Sequence, residues 1–176
     1  MNILPFYPII FLDLLTPILK TRTFTNGIQV QTQQPSNFQV FQEGQVLPMT
    51  AQAKISGQVI NLQVPKTPEQ HASGLMYRTE LADDQGMLFS FDPPRQVNFW
   101  MKNCKISLDM IFLRSDVVQA IAVDVPPCVA DPCPMYGSGV PVDQVIEIRG
   151  GRTKELGLKV GDGIIIRNEN SIIYRG

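Results

Sequence analysis

The sequence predicts an α+β domain that is mainly β. It is expected to be a single compact unit of short, mostly antiparallel strands, a curled sheet or small barrel, with one or two short helices. Three observations predict it. From Ala51 onward, short apolar runs are separated at close intervals by Gly, Pro, Asn and Asp, the pattern of many short strands. Ile60, Leu62 and Val64 alternate with Asn61 and Gln63, which is strand period. Helix signals are few, and no βαβα alternation is visible, so a doubly wound parallel sheet is not expected.

The elements follow in order. Ala51–Ile55 and Gln58–Val64 flank Ser56-Gly57 and read as a hairpin with a two-residue turn. Pro65 ends the second strand. Thr67-Pro68-Glu69-Gln70 then reads as a helix start, with Thr67 as cap, Pro68 at the first helical position and Gln70 completing a capping box. Ala72, Leu75 and Met76 share one face at helical spacing, with Gly74 inside the helix, where close packing would offset its low propensity. Met87–Phe91 is a short strand stopped by Asp92-Pro93-Pro94. Val97–Met101 and Asp109–Leu113 are further strands, and Val117–Val123 pairs with the latter across Arg114-Ser115-Asp116. Cys128–Val140 reads as loop, being dominated by Pro and Gly. Val142–Ile148 is another strand, with Val142, Ile146 and Ile148 on one side. Gly150-Gly151 turns, Thr153–Leu156 makes one helical turn, and Ile164–Ile166 with Ile172–Tyr174 closes the chain as a hairpin.

Charge is unevenly distributed. In the first 50 residues only Asp13, Lys20, Arg22 and Glu43 are charged. Residues 1–24 form an apolar, signal-like or membrane-contacting segment. Asp13, Pro5, Pro8 and Pro17 oppose a spanning helix, and neither a basic start nor an Ala-x-Ala site marks a standard signal. Met1–Leu19 is therefore a candidate for membrane association. Residues 25–50 read as a Gln/Asn-rich linker with a short strand near Phe38–Phe41, and residues 51–176 as the domain.

The whole chain of 176 residues has a net charge of −1, against the basic face a general nucleic-acid binder needs, so no nucleic-acid partner is expected. The one histidine, His71, excludes HExxH and three-His zinc sites. No Gly-x-Ser-x-Gly elbow, P-loop or dinucleotide fingerprint is present. His71 reads as a structural helix residue rather than a base. No catalytic residue, metal or cofactor is expected, and the balance is against an enzyme.

The most specific local feature is Pro126-Pro127-Cys128 through Asp131-Pro132-Cys133-Pro134. Two cysteines lie in a segment stiffened by prolines, which favours closing Cys128 and Cys133 into a small disulfide loop in an oxidising compartment. The alternative is a working dithiol or a soft-metal (copper) carrier, because Met76, Met87, Met101, Met110 and Met135 supply thioethers. Methionines in apolar strands also fill core gaps, as these would. Cys104 stands apart and reads as a half-buried small residue.

A second cluster, Asn98-Phe99-Trp100-Met101-Lys102-Asn103, holds the only tryptophan. In a strand, Asn98, Trp100 and Lys102 face one way and Phe99, Met101 and Asn103 the other. An aromatic ring beside a cation and amides can line a ligand cleft, or pack a barrel end with Lys102 reaching to solvent. Arg78 and Asp109 are expected to pair and orient this cluster. The ligand-binding candidates are thus Arg78, Trp100, Lys102, Asn103, Asp109 and Tyr136.

Several blocks occur in a specific order: Gly74-Leu75-Met76-Tyr77-Arg78, Gly86-Met87-Leu88-Phe89-Ser90-Phe91, Phe99-Trp100-Met101-Lys102-Asn103 and Leu108-Asp109-Met110-Ile111-Phe112. Together with Pro127-Cys128, Pro132-Cys133-Pro134, Tyr136, Glu147, Gly150-Gly151, Gly157-Leu158 and Gly161-Asp162, they resemble the domain-of-unknown-function family number 192. The resemblance covers roughly residues 53–167. It implies a compact β-rich domain, in a family of bacterial and archaeal proteins often carried behind a signal sequence or lipoprotein anchor. It implies no reaction, cofactor or catalytic residue. Cys104 departs from the Thr more usual after the Trp-Met-Lys-Asn block.

The reading that results is a small extracytoplasmic, periplasmic or membrane-associated binding or accessory domain. Its cleft lies near the Trp100-Lys102-Asn103 strand and the Cys128–Cys133 loop, for an unidentified small ligand or protein partner. The alternatives are the thiol-redox or copper carrier and a structural subunit of a membrane complex.

Overall fold

The computed structural model describes residues 43–168. Nine strands and two short helices follow in the order β1 Met49–Ile55, β2 Gln58–Gln63, α1 Pro68–Ser73, β3 Gln85–Arg95, β4 Asn98–Trp100, β5 Leu108–Arg114, β6 Val117–Val125, β7 Met135–Gly137, β8 Val142–Arg149, α2 Arg152–Glu155 and β9 Ile165–Asn168. Seven strands form one mixed sheet in the order β6-β5-β8-β3-β2-β1-β9, and β4 and β7 pair as a separate ribbon. This is the mainly β, α+β architecture the sequence predicts. Its sheet curls but does not close. The outer strands approach where Val117 bridges Gly163, just ahead of β9, and a single bridge takes the place of a ladder.

Two hairpins have two-residue turns. Ile55 pairs with Gln58 around Ser56-Gly57, and Arg114 pairs with Val117 around Ser115-Asp116. Ser56, Ser115 and Asp116 all have positive φ, the conformation such tight turns demand. All sheet pairings are antiparallel except β2 with β3. A parallel pair needs a crossover, and α1 supplies it. The capping box is as predicted: Gln70 N donates to Thr67 Oγ1, and Gln70 Oε1 accepts from the Thr67 amide.

Four details differ from the expected elements. Gly74 caps the C-terminus of α1 with φ 46° rather than lying inside it, so Leu75 and Met76 belong to the following turns. The chain continues in β3 through Asp92-Pro93-Pro94 to Arg95. There the β3–β8 register shifts between Ser90 and Arg95, so the prolines' missing N–H groups cost no ladder bond. The Pro- and Gly-rich loop contains β7, which pairs with β4. Finally, β9 pairs with β1; Ile172–Tyr174, like the strand near Phe38–Phe41 and the leader, lies outside the described residues.

The sheet is covered on both faces. Leu88, Ile111, Leu113, Ile146 and Ile148 join one apolar cluster with the β1–β2 hairpin. Met87, Phe89, Met110, Phe112 and Val145 join the other, beneath the turn after α1 and the β4–β7 ribbon. Alternate residues of β3, β5 and β8 thus feed opposite clusters, as strand geometry requires.

Candidate functional site

On the second of these faces, α1, the turn after it, the outer half of β3 and β4 line a cleft of about 740 Å3. Aromatic rings build its walls and support. Phe89 meets His71 of α1 edge-on at 5.7 Å between ring centroids and Phe99 of β4 at 5.1 Å. Phe91 meets the same two rings at 6.4 and 6.5 Å. Such edge-to-face packing locks the helix and the ribbon to β3. The positive φ of Gly74 turns the chain away at the end of α1, beside Phe89 and over Glu147.

Glu147 forms the floor. It lies on β8 opposite Met87 of β3 on one side and Met110 of β5 on the other, and both methionines are fully buried. Glu147 itself is 4% exposed, and no described residue makes a hydrogen bond or ion pair with its carboxyl. Burial without a partner penalises the charged form, and the carboxyl's pKa rises to about 8. At neutral pH it is therefore chiefly an uncharged acid with one O–H to donate. Cys104 also lines the cleft. Burial, and secondarily the Glu147 charge, push its thiol up to about 12, so it is neither a nucleophile nor a thiolate ligand near neutrality.

The residues singled out in the sequence fall into three places. Trp100 lines the cleft mouth and is 45% exposed, next to buried Met101. Lys102, expected on the strand, lies in the turn after β4, 5.5 Å from the Trp100 ring centroid, and pairs with Asp131 at 3.1 Å, which ties this turn to the Cys128–Cys133 loop. Tyr136 pairs with Phe99 across the β4–β7 ribbon and packs on the same cluster. These three, with the disulfide loop, do come together. Asn103 stands beside them in a left-handed conformation, φ 60°, where its carbonyl accepts from the Tyr77 amide.

Arg78 and Asp109 do not pair. Arg78 Nη1 donates to the Gln45 carbonyl at 2.9 Å, and Arg78 lines a separate cleft with Tyr77 and Glu80. Asp109 is fully buried. Its Oδ1 accepts from the amides of Asp124 and Gly151, and its Oδ2 from the amide and hydroxyl of Thr153, all within 2.6–2.7 Å. Both side chains are already committed to internal partners. The charge matching that suggested a pair left out the backbone groups that claim each one first.

Cys128 and Cys133 form a disulfide with Cα atoms 5.6 Å apart. The Cys128 amide also donates to the Met101 carbonyl, which fastens the loop to the strand carrying Trp100. Closing so short a loop restricts the unfolded chain by about 2 kcal/mol. Cys128→Ser with Cys133→Ser should accordingly lower the melting temperature by roughly 4–12 °C without reductant, in a thermal scan beside the oxidised parent.

Sequence reasoning missed Glu147 as a site residue and read His71 as structural only. His71 lines the cleft. Both become visible once β8 is known to be a central strand and α1 to cross over the sheet. Among the described residues no group of three or more His, Cys, Asp and Glu side chains is placed to hold a metal ion. No described helix is long and apolar enough to cross a membrane.

The DUF192 family model, whose description reads "Uncharacterized ACR", matches residues 50–166. A crystal structure of a protein of unknown function from Novosphingobium aromaticivorans is 36% identical, with a TM-score of 0.59, covering 66% of this chain and 83% of that one. One from Sinorhizobium meliloti, given as a candidate transcription regulator, is 34% identical with a TM-score of 0.61, covering 69% and 97%. No curated protein matches the chain.

Proposed function

The chain belongs to the DUF192 family, and from the geometry of its cleft we propose that it is a small-ligand-binding domain acting outside the cytoplasm. One observation carries the reading. A nearly buried carboxyl without an internal partner reaches solvent only at the floor of an open cleft walled by aromatic rings. Burying a polar group without a partner costs roughly 1–3 kcal/mol on protein scales. A fold that had no use for Glu147 could place an apolar residue between Met87 and Met110 and avoid that cost. Ligand sites combine aromatic walls with polar groups that orient the ligand, and here His71, Phe89, Phe91, Phe99 and Trp100 line the cleft beside Glu147. The Cys128–Cys133 disulfide supports an oxidising compartment, because such bonds are rare in the cytosol. The apolar segment of residues 1–24 would serve export or membrane contact.

Trp100 makes the proposal measurable, since it is the only tryptophan and lines the cleft. Small molecules that raise the melting temperature of the full chain should also change Trp100 fluorescence. Stabilising compounds that leave Trp100 emission unchanged, and shift amide resonances only around Arg78 and Tyr77, would place binding elsewhere and overturn the reading.

A further inference from the structure

Glu147 also constrains the chemistry of the ligand, an inference that rests on the binding role proposed above. We infer that the cleft takes an uncharged or anionic small molecule with an apolar, flat body, and holds it by a carbonyl or carboxylate oxygen that accepts a hydrogen bond from the Glu147 carboxyl. The body would lie against Phe91, Phe99 and Trp100.

The Glu147 carboxyl opens onto the cleft from the central strand β8. Its strand neighbours, Met87 and Met110, are apolar and fully buried. From the other elements, the titratable or charged side chains that line the same cleft are His71 on α1, Lys66 ahead of α1, Asp92 and Arg95 on β3, and Cys104 after β4. None of them makes an ion pair or hydrogen bond with Glu147. A buried carboxyl with no cation stays neutral, and a neutral acid offers one strong donor. An oxygen acceptor completes it.

The rim selects in the same direction. Lys66 and Arg95 outnumber Asp92 among its fixed charges, and Arg95 already stacks over the Phe91 ring at 5.0 Å. An ammonium ligand would meet those cations and find one aromatic face occupied. An oxygen acceptor, charged or not, would meet neither obstacle, and an anion bound to an O–H donor forms one of the stronger hydrogen bonds.

Phenylacetone, phenylacetate and phenethylamine share one body and differ in the head group. Their binding to the full chain can be read by Trp100 fluorescence and by amide shifts at Gly74 and Cys104. The ketone and the carboxylate should bind and the amine should not. For phenylacetone, which can only accept, affinity should fall roughly thirtyfold between pH 6.5 and 9.5, as the carboxyl with its pKa of about 8 loses its proton. Glu147→Gln keeps a donor, so it should bind phenylacetone without that pH dependence. Glu147→Leu should fold and lose the selectivity for an oxygen head group. Preference for phenethylamine, or an unchanged pH dependence in Glu147→Gln, would overturn the inference while leaving the cleft a binding site. If none of the three perturbs Trp100 or the cleft amides, the inference fails together with the binding reading.

Discussion

Replacing Asp109 by alanine should destabilise the domain by about 3–5 kcal/mol, more than any surface substitution, because it strands four donors at once. The β5–β6 register slips between the Leu108–Val125 and Met110–Ala122 pairs, where β6 carries an extra residue. Asp124 there has φ 49°, and its amide, displaced from the ladder, donates to Asp109 Oδ1. The same carboxylate reaches α2. The residue ahead of that helix is Gly151, which has no side chain to cap it. Asp109 supplies the missing acceptors from β5, taking the amides of Gly151 and Thr153 and the Thr153 hydroxyl. One buried residue thus closes a bulge and caps a helix distant in sequence. Asp109→Asn keeps one acceptor oxygen and should lose about half as much. Urea denaturation should show a lower midpoint with an unchanged slope for both variants.

Glu147→Gln should act in the opposite direction, and only where the parent carboxyl is charged or forced to be neutral. The sign follows from the raised pKa. The folded protein holds the Glu147 proton up to about pH 8, while an unfolded carboxyl releases it near its ordinary value of 4.5. The native state therefore binds more protons between those limits, and stability falls as pH rises through that window. Below it the carboxyl is neutral in both states and adds no penalty for burying charge. Above it the full penalty, a few kcal/mol on the scale of ~1.4 kcal/mol per pKa unit, is in place. Glutamine has nearly the shape of the protonated acid and does not titrate. The variant should match the parent at pH 4, exceed it progressively up to pH 8 and keep a constant advantage beyond. Melting temperatures across that range, with urea midpoints at pH 5 and 9, measure the difference.

How much of this was legible in the sequence depends on where each strand sits. The β1–β2 hairpin and the start of α1 are local, fixed by turn residues and a capping box, and were read directly. β5 was found as an apolar run, but Leu108 through Leu113 are buried on both faces, so period two is lost in its hydrophobicity. β7 is short and held by its pairing with β4, which local composition cannot show. Glu147 shows the limit most clearly. In the Val-Ile-Glu-Ile run it alternates with Ile146 and Ile148, and a half-buried strand would turn it to water. The sheet at β8 is instead covered on both faces, Ile146 and Ile148 packing in one apolar cluster and Val145 in the other, so Glu147 is drawn into the interior at the cleft. Trp100 and Tyr136 lie close together because β4 pairs with β7, and Lys102 joins them from the turn just after β4. Arg78 and Asp109 were not, because backbone partners far along the chain claim them.

The central claim is that the cleft floor is an uncharged acid awaiting a partner. It is tested most directly by following the Glu147 side-chain carboxyl carbon by NMR from pH 3 to 10, with Glu147→Gln identifying the resonance. A single titration with its midpoint near 8 is the expected result. A midpoint between 4 and 5 would mean a solvated or internally paired carboxylate and would contradict it.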